Sequence, residues 1–305
     1  MDEITKTLLD LISDWDGKFK GAYNLRVDGT CAGRQSSDNI AILSKEDKPG
    51  LEIRIRPGTK GESVSIPACV THGDVDDLVY NDFYIGEMAD VTIVAGCGVH
   101  TTTGEPARHN GIHRFFLSPG AHVKYVEKHV GLGSGEGLKT IDPVTECFLE
   151  KDSVLEMDTS QIGGVDRTTR ETNATLGEGA RLIIRERLLT EKDQTAATLF
   201  TVTMKGDGSA ADVVSRSVAR DTSRQEYVST VIGEAKCTGH TECDAIISGK
   251  AQVDASPRLF ARNEDAQLIH EAAIGKIAGE QILKLRTLGL TEQQAEEKIV
   301  EGFLS

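Results

Sequence analysis

The chain has 305 residues, with 34 Lys and Arg against 48 Asp and Glu, a formal net charge of −14. Such acidity excludes a nucleic-acid binder, because phosphate recognition needs clustered cations. No apolar run approaches the ~20 residues that span a bilayer, and the first ten residues are too acidic for a signal peptide, so a cytoplasmic setting without membrane insertion is expected.

Six cysteines (Cys31, Cys69, Cys97, Cys147, Cys237 and Cys243) are too scattered for a disulfide framework. In a reducing compartment they are core fillers, metal ligands or reactive thiols. With 31 Gly, 7 Pro and a single Trp, the composition predicts an aliphatic core with frequent tight turns.

Asp2–Trp15 is predicted as a short helix, since Ile4, Leu8, Leu9, Ile12 and Trp15 recur at spacings of three and four. Strand alternation follows. Leu51, Ile53 and Ile55 interleave with Glu52, Arg54 and Arg56, and Val91, Ile93, Ala95 and Cys97 share one face. A lax repeat begins at Ala89, Ala121, Ser153, Ala180 and Ala211, each start leading through one residue into an apolar strand. Fixed steps of this size signal stacked units, and strand content without long helices favours a β-solenoid over a helical array. A β-sandwich with recurring turns is the alternative.

The glycine-rich run Gly131–Gly137, followed by Lys139 and Thr140, fails as a phosphate loop, because Leu138 separates Gly137 from Lys139 and a strand follows. It reads as a flexible turn. Five of the eight histidines (His100, His109, His113, His122 and His129) fall in the roughly thirty residues that follow Cys97. Imidazole and thiolate suit zinc or iron, making His100, His109 and His113 candidate metal ligands; the plainer reading puts these rings on turns and solvated faces. The strand parity of Cys97 turns it inward. Cys237 and Cys243 share a side but lie too far apart to chelate one metal, and a neighbouring coil carries His270 and Glu271.

At the C-terminus, Ile274, Ile277, Ala278, Ile282 and Leu285 form one helical stripe ended by Gly289. Thr291 opens a second helix, with Gln294 placed for a capping box and a buried face of Ala295, Ile299, Val300, Phe303 and Leu304. The chain therefore divides into an N-terminal helical and extended segment (1–50), a β-core (51–269) and a C-terminal helical segment (270–305).

The runs Glu242–Ile247, Ala266–Ala273, Lys276–Ile282 and Leu288–Phe303, with Ala95–Gly98 and Ala121–Glu127 upstream, resemble the SufB/SufD family of iron–sulfur cluster assembly scaffolds. Within that family it resembles a short SufB-like member of the archaeal or anaerobe type. The resemblance implies a mainly β fold, a right-handed parallel β-helix with a short N-terminal helix and two C-terminal helices. It further implies a non-enzymatic scaffold carrying a transient iron–sulfur cluster. ATP hydrolysis would fall to SufC, an ABC-type ATPase docking on the C-terminal helices through Ile282, Leu285, Ile299 and Phe303. Without a SufD subunit, a homodimer and a SufB2C2-like complex are implied.

Residue by residue, Cys243 matches the cluster-assembly cysteine, Glu271 and His270 match the His-Glu pair beside it, and Cys97 matches a cysteine proposed as sulfur entry. Cys243 and Glu271 from two subunits would ligate the cluster at a symmetric interface. One thiolate per subunit with carboxylate or imidazole suits a site that must release its cluster. Two other readings stay open: a SufD-like structural partner without a cluster, and a metal-dependent β-fold enzyme using the histidine cluster.

Overall fold

A computed structural model of the chain describes residues 1–13 and 15–305. Two ten-stranded sheets stack face to face, and successive strands alternate between them. Through the coils a strand thus pairs in parallel with its counterpart one coil on: Asp90–His100 with His122–Leu132 in one sheet, Val75–Ile85 with Ala107–Leu117 in the other. This is the expected β-solenoid, of about eight turns. Its core is one continuous stack of inward side chains, because alternation turns every second residue inside and lateral pairing repeats that choice from coil to coil.

The sequence repeat corresponds to this lateral register, since Val91, Val123, Leu155 and Leu182 stand side by side. Its fifth unit is shifted by two residues. Leu182 pairs with Ala211, so the unit starts at Ser209 rather than Ala211. The turn chemistry explains why. Ser209 donates its hydroxyl to the carbonyl of Gly206 at 2.6 Å, as Ser153 does to Glu150 at 2.7 Å. The buried corner needs a small residue, and serine closes it with its own hydrogen bond.

Helix α1 (Glu3–Ser13) buries Leu8, Leu9 and Ile12 against Leu25 and Cys69 on the outer wall of the first coils. Gly96 and Gly98 make that seat possible: a Cβ on Gly96 would strike the Ile12 backbone, and one on Gly98 would lie 2.8 Å from Leu8 Cδ2. Burying three such side chains contributes roughly 1.5–3 kcal/mol each.

The first coil is finished by short antiparallel strands, Thr30–Gln35 against Ala22–Val27 and Ile40–Ser44 against Gly50–Ile55. At the other end the parallel strands Gln252–Ala261 and Gln267–Gly275 form the sheet edges. His270, Glu271 and Ile274 thus belong to the solenoid, and helix α2 starts only at Gly279 (Gly279–Thr287). Helix α3 (Glu292–Phe303) carries the expected capping box: Thr291 Oγ1 accepts from the Gln294 amide at 3.2 Å, and Gln294 Oε1 accepts from the Thr291 amide at 2.9 Å. Val300 and Leu304 seat it on Val218.

The glycine-rich loop differs from the flexible turn expected. Gly135 and Gly137 donate to the carbonyls of Thr101 and Thr103 at 3.2 and 2.9 Å, and a Cβ on either would strike the backbone of residues 101–105. The glycines let two loops of successive coils stack in contact.

Candidate functional site

The middle of the solenoid is not aliphatic. Parity that turns Val123 and Tyr125 inward also turns Glu127 and His129 inward, and opposite them stand His109, His113 and Arg170. These buried groups join in two hydrogen-bonded runs, one short and one long. His109 Nδ1 lies 3.0 Å from Asp77 Oδ2, and Arg26 holds the same carboxylate from the mouth of the solenoid. His113 bridges Asn81 at 3.4 Å and the Tyr125 hydroxyl at 2.9 Å; Tyr125 donates to Glu127 at 2.8 Å. Arg170 then links Glu127 at 2.5 Å to Glu186 at 3.4 Å, and Glu186 accepts from Thr198 and Ser215 at 3.1 and 2.7 Å. Ser215 is the lateral neighbour of Cys243.

Electrostatics keep this column poised. Burial works against the charged form of Glu127, yet His129 and Arg170 hold it well below the usual carboxylate range. Glu186, buried further from compensating charge, is raised by desolvation that Arg170 only partly offsets. Burial pushes His113 down to about 4, so it is neutral and serves as a hydrogen-bond relay between its two neighbours.

Cys97 stands near the start of this column. It is buried, pairs laterally with His129, and packs with Ala68, Val70 and Val99. Burial and the Glu127 charge raise its thiol well above the ordinary range. Beside it a cavity of about 240 Å³ opens towards Cys31 and the cations Arg26, Arg34, Lys45 and Lys48.

Cys243 stands at the far end. It faces inward, 2 % exposed, one strand from the solenoid edge, between Ser215 and Ala272. Burial first, then Glu186 and Asp244, push its thiol up to about 12, so the free thiol is protonated at neutral pH. His270 shares the inner face as its diagonal neighbour. Its Nδ1 meets Thr241 Oγ1 at 2.7 Å, while its buried Nε2 has no partner. Burial lowers its pKa, leaving a neutral ring with an uncommitted nitrogen. Thiol and free imidazole nitrogen are a donor pair suited to iron.

Glu271 is elsewhere. It lies on the outer face, its side chain 68 % exposed, with Oε2 at 3.4 Å from His240 Nε2. Its lateral partner is Glu242, not Cys243. One subunit therefore does not bring Cys243 and Glu271 together. Nor does the structure gather the three candidate histidines: His109 and His113 are tied into the inner column, while His100 alternates outward from Cys97 and Val99 and hydrogen-bonds the Thr71 carbonyl at 2.9 Å. Among the described residues, the set of His, Cys, Asp or Glu ligand atoms lying within 4.8 Å of one another is His240, Glu242 and Glu271. His240 and Glu242 lie in the stretch around Cys237 and Cys243 but were not singled out as ligands, although their two-residue spacing on one strand face was visible.

On the terminal helices, Ile282 and Leu285 are half-buried; Ile282 lines a groove with Val300 and Ile277. Ile299 and Phe303 are also half-buried, Phe303 lying under the Arg216 guanidinium. The exposed apolar residues here are Leu283 (61 %) and Leu288 (73 %), which the helical stripe had omitted.

Residues 81–303 match the family described as SUF system FeS cluster assembly, SufBD core domain. Similar chains named as iron–sulfur cluster assembly SufBD family proteins include one from Methanothermobacter thermautotrophicus, 31 % identical over 84 % of this chain and 62 % of the relative. Others come from Archaeoglobus fulgidus (28 % identical, 89 % and 72 % covered) and Methanocaldococcus jannaschii (24 % identical, 88 % and 86 % covered). The chain spans 62 % of the length of the Methanothermobacter relative. Solenoid, inward cysteines and sequence agree: the chain belongs to the SufBD family of SUF-system iron–sulfur cluster assembly proteins.

Proposed function

We propose that this chain is a scaffold on which an iron–sulfur cluster is built as cargo, with Cys243 as the thiolate ligand and His270 as its neighbour on the inner face. The observation that carries the reading is the buried polar column that starts beside Cys97 and ends at Ser215, next to Cys243. Cys97 is the sulfur entry point, and the cations around the adjoining cavity favour anionic sulfur species there. Because burial holds Cys243 protonated, it becomes a ligand only when the edge coil shifts or a metal displaces the proton.

The scaffold acts as a homodimer with a SufC-type ABC ATPase in the cytoplasm, not as an enzyme itself. The ATPase docks on α2 and α3. Leu283 and Leu288 supply the exposed apolar contacts, and Ile282, Leu285, Ile299 and Phe303 shape the helical pair behind them. Anaerobic reconstitution of the full chain with iron and sulfide tests the scaffold role. Wild-type protein is expected to take up both with a visible charge-transfer band. A Cys243→Ser variant that keeps the same band and iron content would sink the assignment of Cys243, whereas a wild-type chain that takes up no cluster would favour a SufD-like structural role.

A further inference from the structure

We propose that His240, Glu242 and Glu271 form a binding site for a divalent first-row metal ion on the outer face of the last coils, oriented by Asp212. The site is built by register. His240 and Glu242 alternate outward on the strand Thr238–Ile247, and Glu271 stands directly beside Glu242 on the edge strand. Their ligand atoms lie within 4.8 Å of one another, an imidazole and two carboxylates that leave further positions open for water or another ligand.

Two features distinguish this group from a chance acidic patch. The first is how the ring is held. His240 Nδ1 lies 2.8 Å from Asp212 Oδ1, and Arg185 grips the other oxygen of Asp212. A carboxylate accepting from Nδ1–H fixes the tautomer and aims the Nε2 lone pair at the two glutamates, the arrangement found behind metal-bound histidines. The second is the pairing of Glu242 with Glu271. Like charges directly opposite on neighbouring strands destabilise a sheet, and a divalent cation between them removes that repulsion. Asp244, next outward on the same strand, adds a third acid, while Arg216 on the preceding coil is its lateral neighbour and offsets part of the charge.

The sheet itself separates this site from Cys243, so the metal site does not rest on the cluster assignment. Where that assignment holds, ferrous iron is the occupant, and a metal ion waits one sheet thickness from the thiol.

The test is titration of the full-length protein with Mn2+ at neutral pH, following the six-line EPR signal of the free ion, with Fe2+ competing under anoxic conditions. Wild-type protein is expected to withdraw one ion per chain, which Fe2+ displaces. His240→Ala and Glu242→Gln should each weaken binding by about tenfold or more, and Asp212→Asn by about 10- to 100-fold through the loosened ring. Cys243→Ser should bind as wild type. If wild type withdraws no Mn2+, or if His240→Ala binds it unchanged, His240 and Glu271 are an ion pair only and the proposal falls. Thermal melts of each variant establish that the fold is retained. Cluster uptake by His240→Ala is read separately, so loss of the outer site and failure of the scaffold role are distinguished.

Discussion

Cys243 and Glu271 sit on laterally paired strands, one register position out of step, and therefore project from opposite faces of the same sheet. Parity makes the two substitutions separable. Cys243→Ser should abolish stable cluster uptake while leaving outer-face metal binding intact. Glu271→Gln should weaken metal binding with the Cys243 environment unchanged. Iron and sulfide assay with absorption spectra reads the first, and Mn2+ EPR the second.

Arg170 is the keystone of the interior, held between Glu127 and Glu186. Arg170→Met leaves two buried carboxylates without their cation and should cost about 3–5 kcal/mol. The half-exposed pair Arg185–Asp212 offers the contrast: Arg185→Met should cost about 1 kcal/mol or less. Urea midpoints of the two variants check the difference.

Acid should unfold the protein in two stages. His113 has its pKa lowered to about 4 by burial, so below the unfolded value of about 6.5 only the unfolded chain gains its proton. Stability is therefore lost as pH falls from about 6.5 towards 4, by up to roughly 3 kcal/mol from this ring. Burial lowers His129 as well, adding to the same stage. Glu127 and Asp77, whose charged partners outweigh burial and depress them, keep their contribution until lower pH and lose it as they protonate. Urea titrations between pH 7 and 4 should show falling stability, with His113→Asn flattening the upper part of the slope.

Replacing Leu283 and Leu288 by Asp should abolish co-purification with the ATPase without lowering the melting temperature, since both are exposed. Ile282→Asp, in the groove against Val300, should lower the melting temperature too. Equal melting losses in all three would refute the division between docking and packing residues.

Gly98→Val is expected to destabilise by about 1–3 kcal/mol, because its Cβ would press on Leu8 and lift α1 from the wall. Limited proteolysis should then release the N-terminal segment first.

The solenoid was legible because inward aliphatic residues recur at matched steps, as Val91, Val123 and Leu155 do. The inward placement of Cys97 followed from the same parity, whereas for Cys243 the pattern showed only that it shares a side with Cys237. The polar column was missed because Glu127, Arg170 and Glu186 are types normally assigned to solvent, and only their parity with Tyr125, Thr168 and Ile184 on their own strands betrays them. The two-residue slip at Ser209 shows a second limit: Ala and Ser look alike as corner residues until the turn hydrogen bond is seen. Opposed faces for Cys243 and Glu271 could be known only once the lateral register was fixed.

The two ends of the solenoid are unequal, and this governs what polymers it can form. At the start, short antiparallel strands interrupt the parallel stacking, so another coil arriving there meets strands running the wrong way. At the finish, Gln252–Ala261 and Gln267–Gly275 keep outward rows of amides and carbonyls in parallel order. Head-to-tail growth into a fibre is thus denied its matching surface. A twofold axis, by contrast, would set finish against finish, an arrangement that terminates itself.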